Sequence, residues 1–167
     1  SRTHYLIGMI HYYHQQYYDA LTLFDLAERF GFETTPQYTV SKGIAQYHTG
    51  NLEAARRTFE EAGTVHDQNV AAKYIGLIAY STGDFAAALP ELESAAKQLF
   101  NDATVHAYLA RTRARLGDIP GATEPALTAV ELSPDDDDMR MFAGDILLLV
   151  DRYAEAIELF DELIKDE

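Results

Sequence analysis

Apolar side chains recur along the chain in a register that repeats five times. Alanine stands at Ala20, Ala55, Ala88, Ala122 and Ala156, at intervals of 35, 33, 34 and 34 residues. Three residues before each comes a large apolar side chain: Tyr17, Leu52, Phe85, Ile119 and Tyr153. Four after it come Phe24, Phe59, Leu92, Ala126 and Phe160, and seven after it Ala27, Ala62, Ala95, Ala129 and Leu163. Twelve before it is a small residue: Gly8, Gly43, Gly76, Ala110 or Gly144. Positions three, four and seven apart share one face of an α-helix, so each unit is read as amphipathic helix. Short polar breaks divide the units in two: His48-Thr49-Gly50-Asn51, Ser81-Thr82-Gly83-Asp84 and Leu116-Gly117-Asp118. Glycine there can end one helix in the left-handed conformation, and Asn or Asp can cap the next. No stretch alternates with period two, so no sheet is predicted. A repeat of this length built from paired helices predicts an all-α solenoid, in which each unit touches only its neighbours.

Two units carry a closer likeness. His4-Tyr5-Leu6-Ile7-Gly8 with Tyr12, Tyr17, Ala20, Phe24 and Ala27 is one; Tyr74-Ile75-Gly76 with Tyr80, Gly83, Asp84, Phe85 and Ala88 is the other. In these columns, five times in phase, the chain resembles the tetratricopeptide repeat family. The resemblance implies a right-handed α-solenoid filling residues 1–167 as one domain, with approximate units 1–34, 36–68, 69–102, 103–136 and 137–167. It also implies that the first helices of successive units line a concave, partner-binding side. Some features depart from the pattern. The proline that commonly separates units is present only as Pro134. Lys42 and Gln46 take core slots, so an irregular first helix is expected in the second unit. Pro90 and Pro125 fall more than a turn into their helices, which are expected to start late or bend. The first unit lacks its opening residues and the last stops at Lys165-Asp166-Glu167, so a segment of a longer protein is expected, with uncapped ends open to self-association.

Charge narrows the partners. Of the net −14, residues 1–83 contribute −2 and residues 84–167 contribute −12. So acidic a half repels nucleic acid and anionic membrane surfaces. No apolar run approaches the length of a membrane span, so no direct membrane insertion is expected. The absence of cysteine excludes disulfides, thiolate zinc sites and cysteine nucleophiles, and suits a cytoplasmic location. There is no phosphate-cradling glycine loop and no serine in a nucleophile elbow, so neither catalysis nor a cofactor is expected. His4, His11, His14 and His48 include one i, i+3 pair, but a closed zinc site needs more ligands, and aromatic repeat slots account for His4 and His11. Asp135-Asp136-Asp137-Asp138 lacks the glycine and alternating ligands of a calcium loop and is read as a capped, solvated helix start.

The resemblance then assigns the inward slots. Tyr5, Met9, Tyr12 and Tyr13 fall there in the first unit, Val40, Ile44, Tyr47 and His48 in the second, and Lys73, Leu77 and Tyr80 in the third. Tyr12, Tyr47 and Tyr80 are expected to stack into a ladder that serves packing, ligand contact or both. Arg111 and Arg115 take the same slots in the fourth unit, while Arg113 points elsewhere. Guanidinium groups there would meet a carboxylate, from the protein's own acids or from a partner. Chaperone-tail binding, a known role of the family, is not expected: Met9, Ile44 and Leu77 stand where asparagines clamp the tail, and only Lys73 resembles a clamp residue. The implied function is a non-catalytic interaction scaffold or adaptor. Its ligand would be a protein or peptide, apolar and carrying an acidic residue or C-terminal carboxylate. A secretion-type chaperone and a self-associating structural or regulatory arm are the alternatives.

Overall fold

A computed structural model describes residues 1–62 and 68–165. Among these there are ten helices and no strand: α1 Arg2–Tyr13, α2 Tyr17–Arg29, α3 Pro36–His48, α4 Leu52–Ala62, α5 Gln68–Ser81, α6 Phe85–Gln98, α7 Ala103–Arg115, α8 Ile119–Leu132, α9 Asp137–Leu149 and α10 Tyr153–Lys165. Asp166 and Glu167, where the last unit was expected to close, lie outside the described residues. The chain divides into two compact units, Ser1–Ile78 and Ala79–Glu167.

In the first unit α1 packs on α2, α2 on α3, and α3 on α4. Met9, Ala20, Phe24 and Tyr38 form one core cluster, and Ala55, Phe59, Ala71 and Ile78 another. In the second unit α6 packs on α7, α7 on α8, α8 on α9, and α9 on α10. Its core joins Ala107, Ala110, Ala126, Ala129, Val130, Met139 and Ala143.

The small-residue columns mark where paired helices close up. All five column alanines, Ala20 to Ala156, are fully buried. Opposite them the volumes compensate. Gly8 faces the ring of Phe24, Gly43 that of Phe59 and Gly144 that of Phe160. A Cβ at Gly43 would lie 2.9 Å from Phe59, closer than side chains tolerate. Where the ring is replaced by Ala126, the facing position enlarges to Ala110, and both stay buried.

All five turns within units close the same way. The amide of Gln16, Asn51, Asp84, Asp118 and Arg152 donates to the carbonyl five residues back, at 2.9 Å in each case. The residue before it is left-handed, as a helix ending of this type requires. Gly50, Gly83 and Gly117 supply it with φ between 80° and 84°, whereas Gln15 (58°) and Asp151 (60°) adopt it without glycine's freedom. Asp84 and Asp118 then cap the following helices, accepting from Ala87 and Gly121 at 3.0 Å.

The second unit of the repeat differs from expectation. Helix α3 is continuous from Pro36 to His48, because Lys42 and Gln46 find polar partners instead of disrupting it. Lys42 Nζ lies 3.0 Å from Asp25 and 2.9 Å from Glu28, and Gln46 Oε1 accepts from the Thr58 hydroxyl at 2.7 Å. The prolines also behave differently. Helices α6 and α8 begin at their turns and run through Pro90 and Pro125. Pro125 has no N–H for the carbonyl of Gly121, four residues back. That carbonyl accepts from Arg113 Nη1 at 2.7 Å, while Nη2 holds Glu93 at 2.7 Å. The aspartate run is a solvated helix start: Asp136 caps α9 by accepting from Met139 at 2.9 Å, and Asp137 pairs with Arg140.

Candidate partner-binding surfaces

Each unit presents its own surface on the inward slots of its first helices. In the first unit Tyr5 stacks on Phe32 with centroids 4.5 Å apart. The two, with Arg2, Leu6 and Pro36, line an open cleft of about 610 Å³. Burial pushes the Tyr5 and Tyr12 hydroxyls above their ordinary pKa, so both remain neutral, hydrogen-bonding phenols. Tyr12 and Tyr47 are joined through other rings. Tyr12 meets Tyr17 edge-on, Tyr17 stacks on His48 at 4.4 Å, and His48 meets the edge of Tyr47 at 5.3 Å. Tyr17 projects from the second helix, α2, and is the link that a ladder built only from first helices lacks. Tyr47 continues to Tyr74 at 5.1 Å, and Lys73 Nζ lies over that ring at 5.7 Å. Partial desolvation of the ring by its packed neighbours, and then the Lys73 charge, lower the His48 pKa, which keeps this stack neutral near pH 7.

Accessibility divides the inward set. Met9 and Leu77 are buried, so they support the surface from below. Tyr5, Tyr12, Ile44, Tyr47, Lys73, Tyr80 and Arg111 are half-buried. Tyr13, His48 and Arg115 are exposed.

The second unit carries a different chemistry. Tyr80 meets Phe85 edge-on at 5.2 Å and Tyr108 at 5.0 Å. On these rings lie the two arginines. Arg111 is 6.0 Å from the Tyr108 centroid and 5.7 Å from that of Phe142, and Arg115 is 4.9 Å from that of Phe85. Among the described residues neither has a carboxylate partner. The described acids therefore do not take them up, although residues 84–167 carry a net −12. Arg113 is the arginine that does pair internally, through Glu93. A small cleft of about 130 Å³ opens beside Arg111, between Tyr108, Ala129 and Met139. A guanidinium on an aromatic face keeps its in-plane N–H fork free for a planar anion. Phe85, Tyr108 and Phe142 escaped the inward-slot reading. Tyr108 was accessible to it, since it precedes Arg111 by three residues and shares its helix face.

A family model described as Tetratricopeptide repeat matches residues 5–64, 75–137 and 109–167. The chain belongs to the tetratricopeptide repeat family. Solved structures agree on the fold. MamA 41-end from Desulfovibrio magneticus RS-1 is 19% identical, with 98% of this chain and 93% of that chain covered and a TM-score of 0.79. The MamA RS-1 ArsTM double mutant is likewise 19% identical, covering 98% and 92% with a TM-score of 0.81. MamA AMB-1 is 18% identical, covering 98% and 89% with a TM-score of 0.78. No curated protein sequence matches. The fold is thus the all-α solenoid of tetratricopeptide repeats, whose members are interaction scaffolds, typically without catalytic activity. No described helix of this tetratricopeptide chain is long and apolar enough to cross a membrane.

Proposed function

We propose that this tetratricopeptide domain is a non-catalytic adaptor whose inward side chains dock an extended or helical segment of another protein. In the first unit, Tyr5, Tyr12, Tyr13, Ile44, Tyr47 and His48 supply apolar and aromatic contact, with Met9 beneath and Lys73 at the edge. In the second, Tyr80 is an aromatic floor and Arg111 and Arg115 receive an acidic side chain or a C-terminal carboxylate. Leu77 supports the surface as buried packing. The observation that carries the reading is the state of the two arginines. Each rests on an aromatic ring with no acid partner among the described residues, inside the most acidic half of the chain. Two cations held apart from abundant carboxylates are prepared for a carboxylate that arrives from outside.

The test is selection from a random peptide library, displayed with free C-termini, on the native protein and on the Arg111→Glu, Arg115→Glu double variant. Native selection is expected to enrich Asp, Glu or a free terminal carboxylate beside apolar residues. Peptides so selected are expected to lose about tenfold or more in affinity for the variant, which corresponds to ~1.4 kcal/mol. Sequences without acidic enrichment, or equal affinity for the variant, would remove the arginines from the site. Tyr47→Ala, with an unchanged helical signal and melting temperature, is expected to weaken peptides that reach the first unit. Unaltered binding of every selected peptide would confine the tyrosines to packing.

A further inference from the structure

Residues from α7, α8 and α9 of the second unit line the cleft of about 130 Å³ beside Arg111. Buried Ala107 and Met139 and the half-buried Tyr108 ring give it an apolar lining. Two of its lining residues carry opposite charges: Arg111 on α7 and Asp136 at the start of α9. Such charges in one small cleft attract each other, yet these two do not pair. Neither has an ion-pair partner among the described residues. Asp136 Oδ1 accepts from the Met139 amide at 2.9 Å, and its Oδ2 has no partner among the described residues. The Ser133 hydroxyl, likewise without a described partner, lines the same cleft.

The charges on both sides restrict what can enter. An anion alone would meet Arg111 but is repelled by Asp136, by the aspartates flanking it and by the net −12 of residues 84–167. A cation alone meets the Arg111 charge. A group that carries both signs satisfies the two side chains at once and brings no net charge into an acidic half. Its span follows from α9. Arg111 lies over Phe142, which stands six residues beyond Asp136, roughly 9 Å at the helical rise. An ammonium and a carboxylate on one carbon, with a charge-assisted hydrogen bond at each end, reach about 9 Å. In a peptide, amide bonds remove one or both of those charges from each α-carbon, whereas a free amino acid keeps them at neutral pH. Size sets the side chain. A cavity of about 150 Å³ holds one benzene ring, so 130 Å³ has room for a small amino acid and not for an aromatic one.

We propose that this cleft binds a free α-amino acid with a small apolar side chain, its carboxylate on the Arg111 guanidinium and its ammonium on Asp136 and Ser133. The ligand side chain lies against Ala107, Met139 and Tyr108. The site shares Arg111 with the docking reading and does not use Arg115.

The experiment is calorimetric titration of the 1–167 chain at pH 7 with L-alanine and L-valine. Three analogues accompany them: N-acetyl-L-alanine lacks the ammonium, L-alaninamide lacks the carboxylate, and L-phenylalanine exceeds the cleft. Alanine and valine are expected to saturate one site, and each analogue to bind about tenfold more weakly or worse. Arg111→Met and Asp136→Asn, the latter keeping a capping oxygen for Met139, are each expected to weaken alanine by about tenfold with an unchanged helical signal. The analogues test both charges on the native protein in case a variant misfolds. No saturable binding of alanine or valine overturns the proposal. So does N-acetyl-L-alanine that binds as tightly as alanine, or undiminished affinity in Asp136→Asn. Selected peptides that depend on Arg111, in a protein that does not respond to alanine, overturn this inference and leave the docking reading in place.

Discussion

Arg113 offers the sharpest test of how the second unit tolerates a proline inside α8. Replacing it by Met keeps much of the aliphatic stem while removing two interactions. The first is the 2.7 Å hydrogen bond to the Gly121 carbonyl, which Pro125 cannot satisfy. A part-buried hydrogen bond with a charged donor contributes roughly 1.5–3 kcal/mol. The second is the Glu93 pair, whose side chains are 26% and 39% exposed. Solvent screening at that exposure leaves it about 0.5 kcal/mol. Arg113→Met is therefore expected to cost about 2–3 kcal/mol, the larger part of it from one orphaned carbonyl.

The two residues are expected to be energetically coupled. In a Pro125→Ala background residue 125 regains an N–H, and the helix can close its own bond onto Gly121. Pro125→Ala alone gains about 3 kcal/mol of helix propensity and loses roughly 1.5–2 kcal/mol of buried methylene, so a small net stabilisation is expected. With the carbonyl already satisfied, Arg113→Met should then cost only ~1 kcal/mol. Urea unfolding of the four proteins of this cycle, followed by circular dichroism with the slope checked for constancy, measures the difference. A coupling of about 1–2 kcal/mol is expected. Additivity within ~0.5 kcal/mol would show that Arg113 is not the substitute donor for the proline.

Gln15→Gly relieves a left-handed residue at a turn where three of the other four units use glycine. A rise in stability of about 0.5–1 kcal/mol is expected, and less at Asp151→Gly, because aspartate tolerates this conformation better. Thermal melts settle it, and destabilisation at Gln15 would mean that its side chain has a native role. Gly43→Ala drives a methyl into the Phe59 ring at 2.9 Å, and overpacking of this kind costs about 1–3 kcal/mol, against less than ~1 kcal/mol of propensity gained. Combining it with Phe59→Leu is expected to cost less than the sum of the two single changes. Full additivity in denaturant melts would detach the glycine column from the aromatic one.

The architecture was legible because its cause is periodic. Five alanines in phase are needed wherever two helices cross closely, and glycine, Asn and Asp fall at the turns because backbone geometry demands them there. What escaped the periodic reading was each place where one side chain is compensated by another far along the sequence. Lys42 looked like a defect in α3, because Asp25 and Glu28 sit on a different helix, with no local pattern linking them to it. Pro125 looked like a kink for the same reason: Arg113 was counted by its slot on α7, not by the carbonyl it reaches on α8.

The surfaces follow the same division. Slot counting found Arg111 and Arg115, yet their state depends on Phe85 and Phe142, which come from α6 and α9. A column predicts which way a residue faces, since that is a property of one helix. Whether the residue is already satisfied there depends on neighbouring helices. Arg113 and Arg111 are two residues apart on α7: one is consumed by a proline's missing donor and a glutamate, and the other lies over aromatic rings with no carboxylate partner among the described residues. The difference between a structural arginine and a candidate anchor lies in those partners, and so the binding hypothesis stands on Arg111 and Arg115 more firmly than on the tyrosines, whose rings also pack against one another.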